Sequence, residues 1–205
     1  MENQKLQKLK NYYRDISQLA KDKSPNRFQN DDRAHNAVVM QVIFEQATTV
    51  KMYCGEFSIF RKEFKKKVEK DYDVEGGDCP MNNLYKRLES FLKKEDTSLE
   101  VIVENPDIFF WQDLYSLEKI RPFVGLGKIK FYTFKDDFSN FNNTYHFTVG
   151  DDRMYRRESD EVTHNAICCF NNPEGAKILK TRFEQLKENV VLLTNKTPLP
   201  YQTNN

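Results

Sequence analysis

YHFTVGDDRMYRRESD, residues 145–160, reads as two strands joined by a tight turn. TYHFTV (144–149) and MYRRE (154–158) are rich in aromatic and β-branched residues, and Gly150-Asp151-Asp152 between them supplies turn chemistry. Side chains two apart on a strand share a face, so His146 and Thr148 point together, opposite Tyr145, Phe147 and Val149. Arg156 and Glu158 likewise share a face of the second strand.

Downstream, NAICCF (165–170) predicts another strand. Asn172-Pro173-Glu174 follows as a helix start: a cap, a first-turn proline and an acid at the positive end of the dipole. Ala176, Leu179, Phe183, Leu186 and Val190 then mark a long amphipathic helix, and NKTPLPYQTNN (195–205) is a polar, frayed tail.

Upstream, Leu6, Leu9, Tyr13, Ile16 and Ala20 predict a first helix over 4–20, and KDKSPNRFQNDDR (21–33) a connector. AHNAVVMQVIFEQA (34–47) is apolar around nearly its whole circumference, which places a helix in the core, with Asp31 and Asp32 as caps. TTVKMYC (48–54), SLEVIVE (98–104) and KIKFYTF (128–134) predict three strands. Between them fall helices marked by Phe57, Phe60, Phe64 and Val68, by Leu84, Leu88, Phe91 and Leu92, and by Phe110, Leu114, Leu117 and Ile120. Strands alternating with helices imply a parallel core, to which the hairpin adds antiparallel strands.

Composition narrows the function classes. The chain has 205 residues, enough for one large domain. With 32 basic against 31 acidic residues, net charge +1, it carries no whole-chain field for nucleic acid or anionic membrane, though a local patch remains open. Charged residues make up 31%, yet 16 Phe and 10 Tyr supply an aromatic core that argues against wholesale disorder. No apolar run reaches a membrane span and MENQKLQKLK lacks a signal-peptide core, so the expectation is a cytoplasmic protein with no membrane partner. Cys54, Cys79, Cys168 and Cys169 form no C-x-x-C pair, and His35, His146 and His164 lie far apart. Buried thiols are expected, with no metal and no cofactor.

The hairpin, with HNAICCFNNPEGAKILKTRFEQL (164–186) after it and the buried helix and VKMYCGEFSIF before it, resembles half of a phospholipase D-like domain over about residues 35–190. That resemblance implies an α/β fold: a mixed sheet flanked by helices, here with an extra N-terminal helix. The units are 1–33, N-terminal helix and connector; 34–193, the phospholipase D-like domain; and 194–205, a flexible tail. The family's signature H-x-K-x4-D implies a histidine nucleophile and a lysine that holds phosphate oxygens. Here His146 is in place, the lysine position is Thr148, and the acid falls at Arg153; Asp151 or Asp152 serves only if the turn is shortened. Losing one oxyanion-stabilising donor costs about 10²–10³ in rate, so the motif reads as degenerate.

Several residues carry two readings. His146 is a vestigial strand histidine with its nitrogens hydrogen-bonded, or a nucleophile. Arg156 and Glu158 form an ion pair that ties the hairpin to its neighbours, or Arg156 or Arg153 binds phosphate in place of the lost lysine. Lys65, Lys66 and Lys67 within RKEFKKKVEK (61–70) are the solvated side of a helix, or a nucleic-acid patch. Phe109, Phe110 and Trp111 belong to the core, or form a stacking platform. Asp151 and Asp152 make the turn. The family builds its sites between two halves, so the resemblance implies a homodimer, or pairing with another such half, across the His146 face. The expected function is a non-catalytic module for binding or assembly, in the nucleic-acid or defence settings where such halves occur. The alternatives are a phosphodiesterase or nuclease using His146 with a substitute arginine, and a plain structural interaction protein.

Overall fold

The side chain of Asp32 accepts the backbone N–H of His35 at 2.8 Å and so caps α2 (Arg33–Gln46). From Ala37 through Phe44 every residue of α2 is buried, as an all-round apolar helix requires. Buried Gln41 is satisfied by donating to the Pro80 carbonyl at 3.2 Å. The computed structural model describes residues 4–74, 79–107, 110–115, 118–135, 145–160 and 165–194. Phe109, Leu117, His164 and the 195–205 tail therefore lie outside the described residues.

α2 packs between α1 (Gln4–Lys21), α4 (Pro80–Lys93) and one face of a sheet, with α3 (Lys62–Tyr72) beside it. α1 joins this layer through Leu9, Ile16 and Ala20, the buried stripe of an otherwise polar helix. The sheet comprises β1 (Phe28–Asn30), β2 (Thr49–Cys54), β3 (Ser98–Val103), β4 (Ile129–Phe134), β5 (Phe147–Gly150), β6 (Met154–Glu158), β7 (Ala166–Cys169) and β8 (Val190–Leu192). Their spatial order is β1-β7-β6-β5-β2-β3-β4-β8. β2, β3 and β4 are parallel and every other pairing is antiparallel. Val101, Ile102 and Val103 are fully buried in β3 because helices cover both of its faces. α7 (Pro173–Lys187) covers the second face, where Phe183 and Leu186 meet Tyr53, Phe147 and Val149. Asn172 caps it, accepting the Gly175 N–H at 2.9 Å. The result is a mixed sheet flanked by helices with an additional N-terminal helix, as the sequence predicts.

Four local departures from the sequence reading have physical causes. The connector contributes the edge strand β1, which pairs with β7. The helix expected from Phe57 starts only at Lys62: Phe57 is left-handed (φ 57°) and a 3-10 turn spans Ser58–Phe60. There Phe57 and Phe60 stack at 4.5 Å, and an i, i+3 spacing suits a 3-10 turn as well as an α-helix. Of the helix expected through 110–120, the described helical part is α5 (Phe110–Tyr115); 118–120 form a turn that leads into α6 (Arg121–Gly125), whose first turn Pro122 fits. Val190 belongs to β8 rather than to α7, since its β-branched neighbour and the free edge of β4 favour a strand. Among the described residues no helix is long and apolar enough to cross a membrane.

Candidate functional site

A cleft of about 850 Å³ opens at the carboxyl ends of β2 and β3, the end of an α/β sheet where diverging connections leave room for ligands. Three sequence features shape it. Gly55 ends β2, and a Cβ there would stand 3.1 Å from Cε1 of His146, so the glycine permits the ring to lie against the backbone. Glu104 follows the last residue of β3, where its N–H donates to the Cys54 carbonyl at 2.9 Å. The antiparallel register of β5 against β2 brings the start of β5, and with it His146, to the same end.

His146 lies between two carboxylates. Nδ1 donates to Glu158 Oε2 at 3.1 Å and Nε2 to Glu104 Oε2 at 3.1 Å. Tyr53 meets the ring edge-on, with centroids 5.3 Å apart. Burial opposes a charge on the imidazole, but the hydrogen bonds and negative charge of Glu104 and Glu158 outweigh it and raise the pKa to about 9. The ring is an imidazolium at neutral pH, with both nitrogens donating. Arg156, its side chain only 5% exposed, continues the chain by donating to Glu158 Oε1 at 3.4 Å from Nη2. Glu104, His146, Glu158 and Arg156 thus alternate in sign and sum to zero, the condition under which charges this deep are tolerated.

This arrangement limits the chemistry. A nucleophilic imidazole needs a nitrogen lone pair facing the electrophile, and the imidazolium has none. Thr148, 3% exposed, brings no charge. Burial pushes the Cys54 thiol up to about 12, far from a reactive thiolate. Arg33, Arg61, Lys67, His146 and Arg156 line the cleft against Asp32, Glu56, Glu63, Glu104, Asp107 and Glu158, five cations to six carboxylates. Arg61 is held by Asp107 at 2.6 Å. Among the described residues no group of three or more His, Cys, Asp or Glu is placed to hold a metal ion.

The other sequence candidates fall in different places. Arg153 sits in the β5–β6 turn, at the opposite end of β5 from His146, and donates to the Phe170 carbonyl at 2.7 Å. Asp151 has φ 51°, and its Oδ1 accepts the N–H groups of Thr48 and Thr49, both at 2.9 Å. Asp152 pairs with Lys180. Lys67 reaches the cleft, Lys65 pairs with Glu69 at 3.6 Å, and Lys66 is exposed on α3. Phe110 is buried and packs edge-on against Phe131 at 5.2 Å, while Trp111 donates to the Thr194 carbonyl at 3.1 Å. His35 stacks on Tyr12 at 4.1 Å. Glu104 and Gly55 are the site residues that sequence reasoning missed. The available signal was an acid directly after a parallel strand, and a glycine directly after its neighbour.

No family model matches the chain, and no curated protein matches it in sequence. Among solved structures, a phospholipase D family member, Nuc from Salmonella typhimurium, aligns at a TM-score of 0.50 and 12% identity, over 83% of this chain and 97% of that one. TrmBL2, an archaeal chromatin protein with a novel mode of DNA binding, aligns at a TM-score of 0.48 and 10% identity, over 82% of this chain. The chain spans 53% of that protein's length. The likeness to Nuc is one of fold: a mixed sheet with flanking helices in a phospholipase D-like arrangement.

Proposed function

We propose that the chain is a phospholipase D-like module without turnover, acting by binding or assembly through the face that carries His146. The observation that supports it most is the engagement of both His146 nitrogens by Glu104 and Glu158, which leaves the ring protonated and without a lone pair. The test is incubation of the protein at high concentration with bis(p-nitrophenyl) phosphate and with single-stranded DNA, without added metal. No release of product is expected. Turnover that His146→Ala abolishes would overturn the reading.

Assembly as a homodimer across the His146 face is part of this proposal, and light scattering checks it: a particle of twice 24.4 kDa is expected, and a clean monomer removes it. The nucleic-acid branch rests on Lys65, Lys66 and Lys67. Retention on immobilised single-stranded DNA should fall with salt and with their replacement by Glu, and unchanged retention discards the patch. A second reading, a phosphodiesterase with Arg156 in place of the lysine, is favoured by one observation: Arg156 faces Thr148 directly across the ladder. The turnover assay decides between the two.

A further inference from the structure

The two glutamates hold His146 in unlike ways. Glu158 lies within β6 with its side chain 9% exposed, and its second oxygen accepts from Arg156, so it is fixed at both ends. Glu104 stands beyond the end of β3 with its side chain 28% exposed and bordering the cleft. Its oxygen is 3.1 Å from Nε2, the nitrogen not already anchored to the hairpin. Any electrophile, or any ligand needing a hydrogen bond from the ring, has to occupy the position that this carboxylate fills.

We propose that Glu104 is an internal cap on His146, and that withdrawing its carboxylate uncovers a nucleophilic imidazole still oriented through Nδ1 by Glu158. The inference rests on the reading of the chain as a module without turnover, and it adds that the silence is imposed by one side chain rather than by loss of the ring. The electrostatics agree. With both carboxylates present the imidazolium is held; with one removed, the burial that opposes a charge on the ring is less outweighed and shifts it towards its neutral form. The other titratable groups around the ring do not replace the lost charge: Tyr53 and Cys54 on β2 stay protonated, and Arg61 adds a positive charge beyond Cys54. Glu158, tied to Arg156, then accepts from a neutral Nδ1–H tautomer, which directs the lone pair of Nε2 into the cleft.

Diethyl pyrocarbonate reads this directly. The Nε2 lone pair attacks a carbonyl carbon and the N–C bond forms. The C–O bond to the leaving group breaks, ethyl carbonate departs and decays to ethanol and carbon dioxide, and the Nδ1 proton passes to solvent by way of Glu158. Carbethoxylation of the His146 peptide is followed by mass spectrometry at pH 7 in wild type, Glu104→Gln and Glu104→Ala. The expected result is slow modification of wild type, a rate at least ~10-fold higher in Glu104→Ala, and a smaller rise in Glu104→Gln, whose amide removes the charge but still fills the position. Ring nitrogen NMR on the same samples should show a doubly protonated ring in wild type and a single Nδ1–H tautomer in the variants, which also covers the case where one variant folds poorly. Equal rates and unchanged ring protonation would overturn the cap, as would fast modification of wild type. Phosphodiester turnover by wild type is a separate result, and that one defeats the functional reading itself.

Discussion

Thr148 on β5 stands directly opposite Arg156 on β6, and Arg156 turns along its own strand to Glu158 rather than across to the threonine. Thr148 is thus buried, neutral and next to a cation already committed to a carboxylate. Thr148→Lys is therefore expected to destabilise the fold, by ~1–3 kcal/mol from overpacking and a second buried cation, and to confer no turnover while Glu104 still holds His146. Urea denaturation and a phosphodiester assay check the two halves of this prediction.

Stability should depend on pH through His146. Its folded pKa, about 9, lies above the ordinary 6.5. The stabilisation is therefore fully present below pH 6.5 and is lost as pH rises through 9, with a span of up to ~3 kcal/mol. Melting temperatures from pH 6 to 10 should fall more steeply in wild type than in His146→Gln. Parallel curves would refute the assignment.

The Asp151 carboxylate secures the hairpin turn to the start of β2 through two backbone N–H groups while its own backbone is left-handed. Asp151→Ala should cost ~2 kcal/mol, combining lost charge-assisted hydrogen bonds with strain at a positive φ. Asp151→Asn, which keeps an acceptor and tolerates that conformation, should cost roughly half as much. Thermal denaturation of both variants gives the ratio.

Gly55→Ala places a methyl group 3.1 Å from Cε1 of His146. The ring has to move by a few tenths of an ångström, lengthening one or both hydrogen bonds to the glutamates. A lower His146 pKa by NMR titration is expected, with a stability loss of about 1 kcal/mol. An unchanged pKa would show that the ring adapts without losing its partners.

The strand pattern and the hairpin were legible because period-2 alternation and turn residues are local signals, as YHFTVGDDRMYRRE shows. So was the core position of α2, whose composition admits no solvent-facing side. Phe57 and Phe60 misled because their spacing serves two helix types and the packing partner of Phe57, Phe131, is distant in sequence. The pairing of Arg156 with Glu158 follows from strand geometry alone. The partnership of Glu104 with His146 does not: the two residues are brought together by β3, β2 and β5 lying side by side, and that order is a property of the folded sheet.

The strand β1 has a kinetic consequence. Asn30 meets Cys168 across 138 positions of chain, so the margin of the sheet that β1 finishes cannot close until β7 has been synthesised. During translation the early segment waits unmated, and such distant pairing favours slow maturation over rapid local collapse. Truncations that end before β7 should accordingly emerge as sticky, aggregation-prone species rather than as smaller native-like domains.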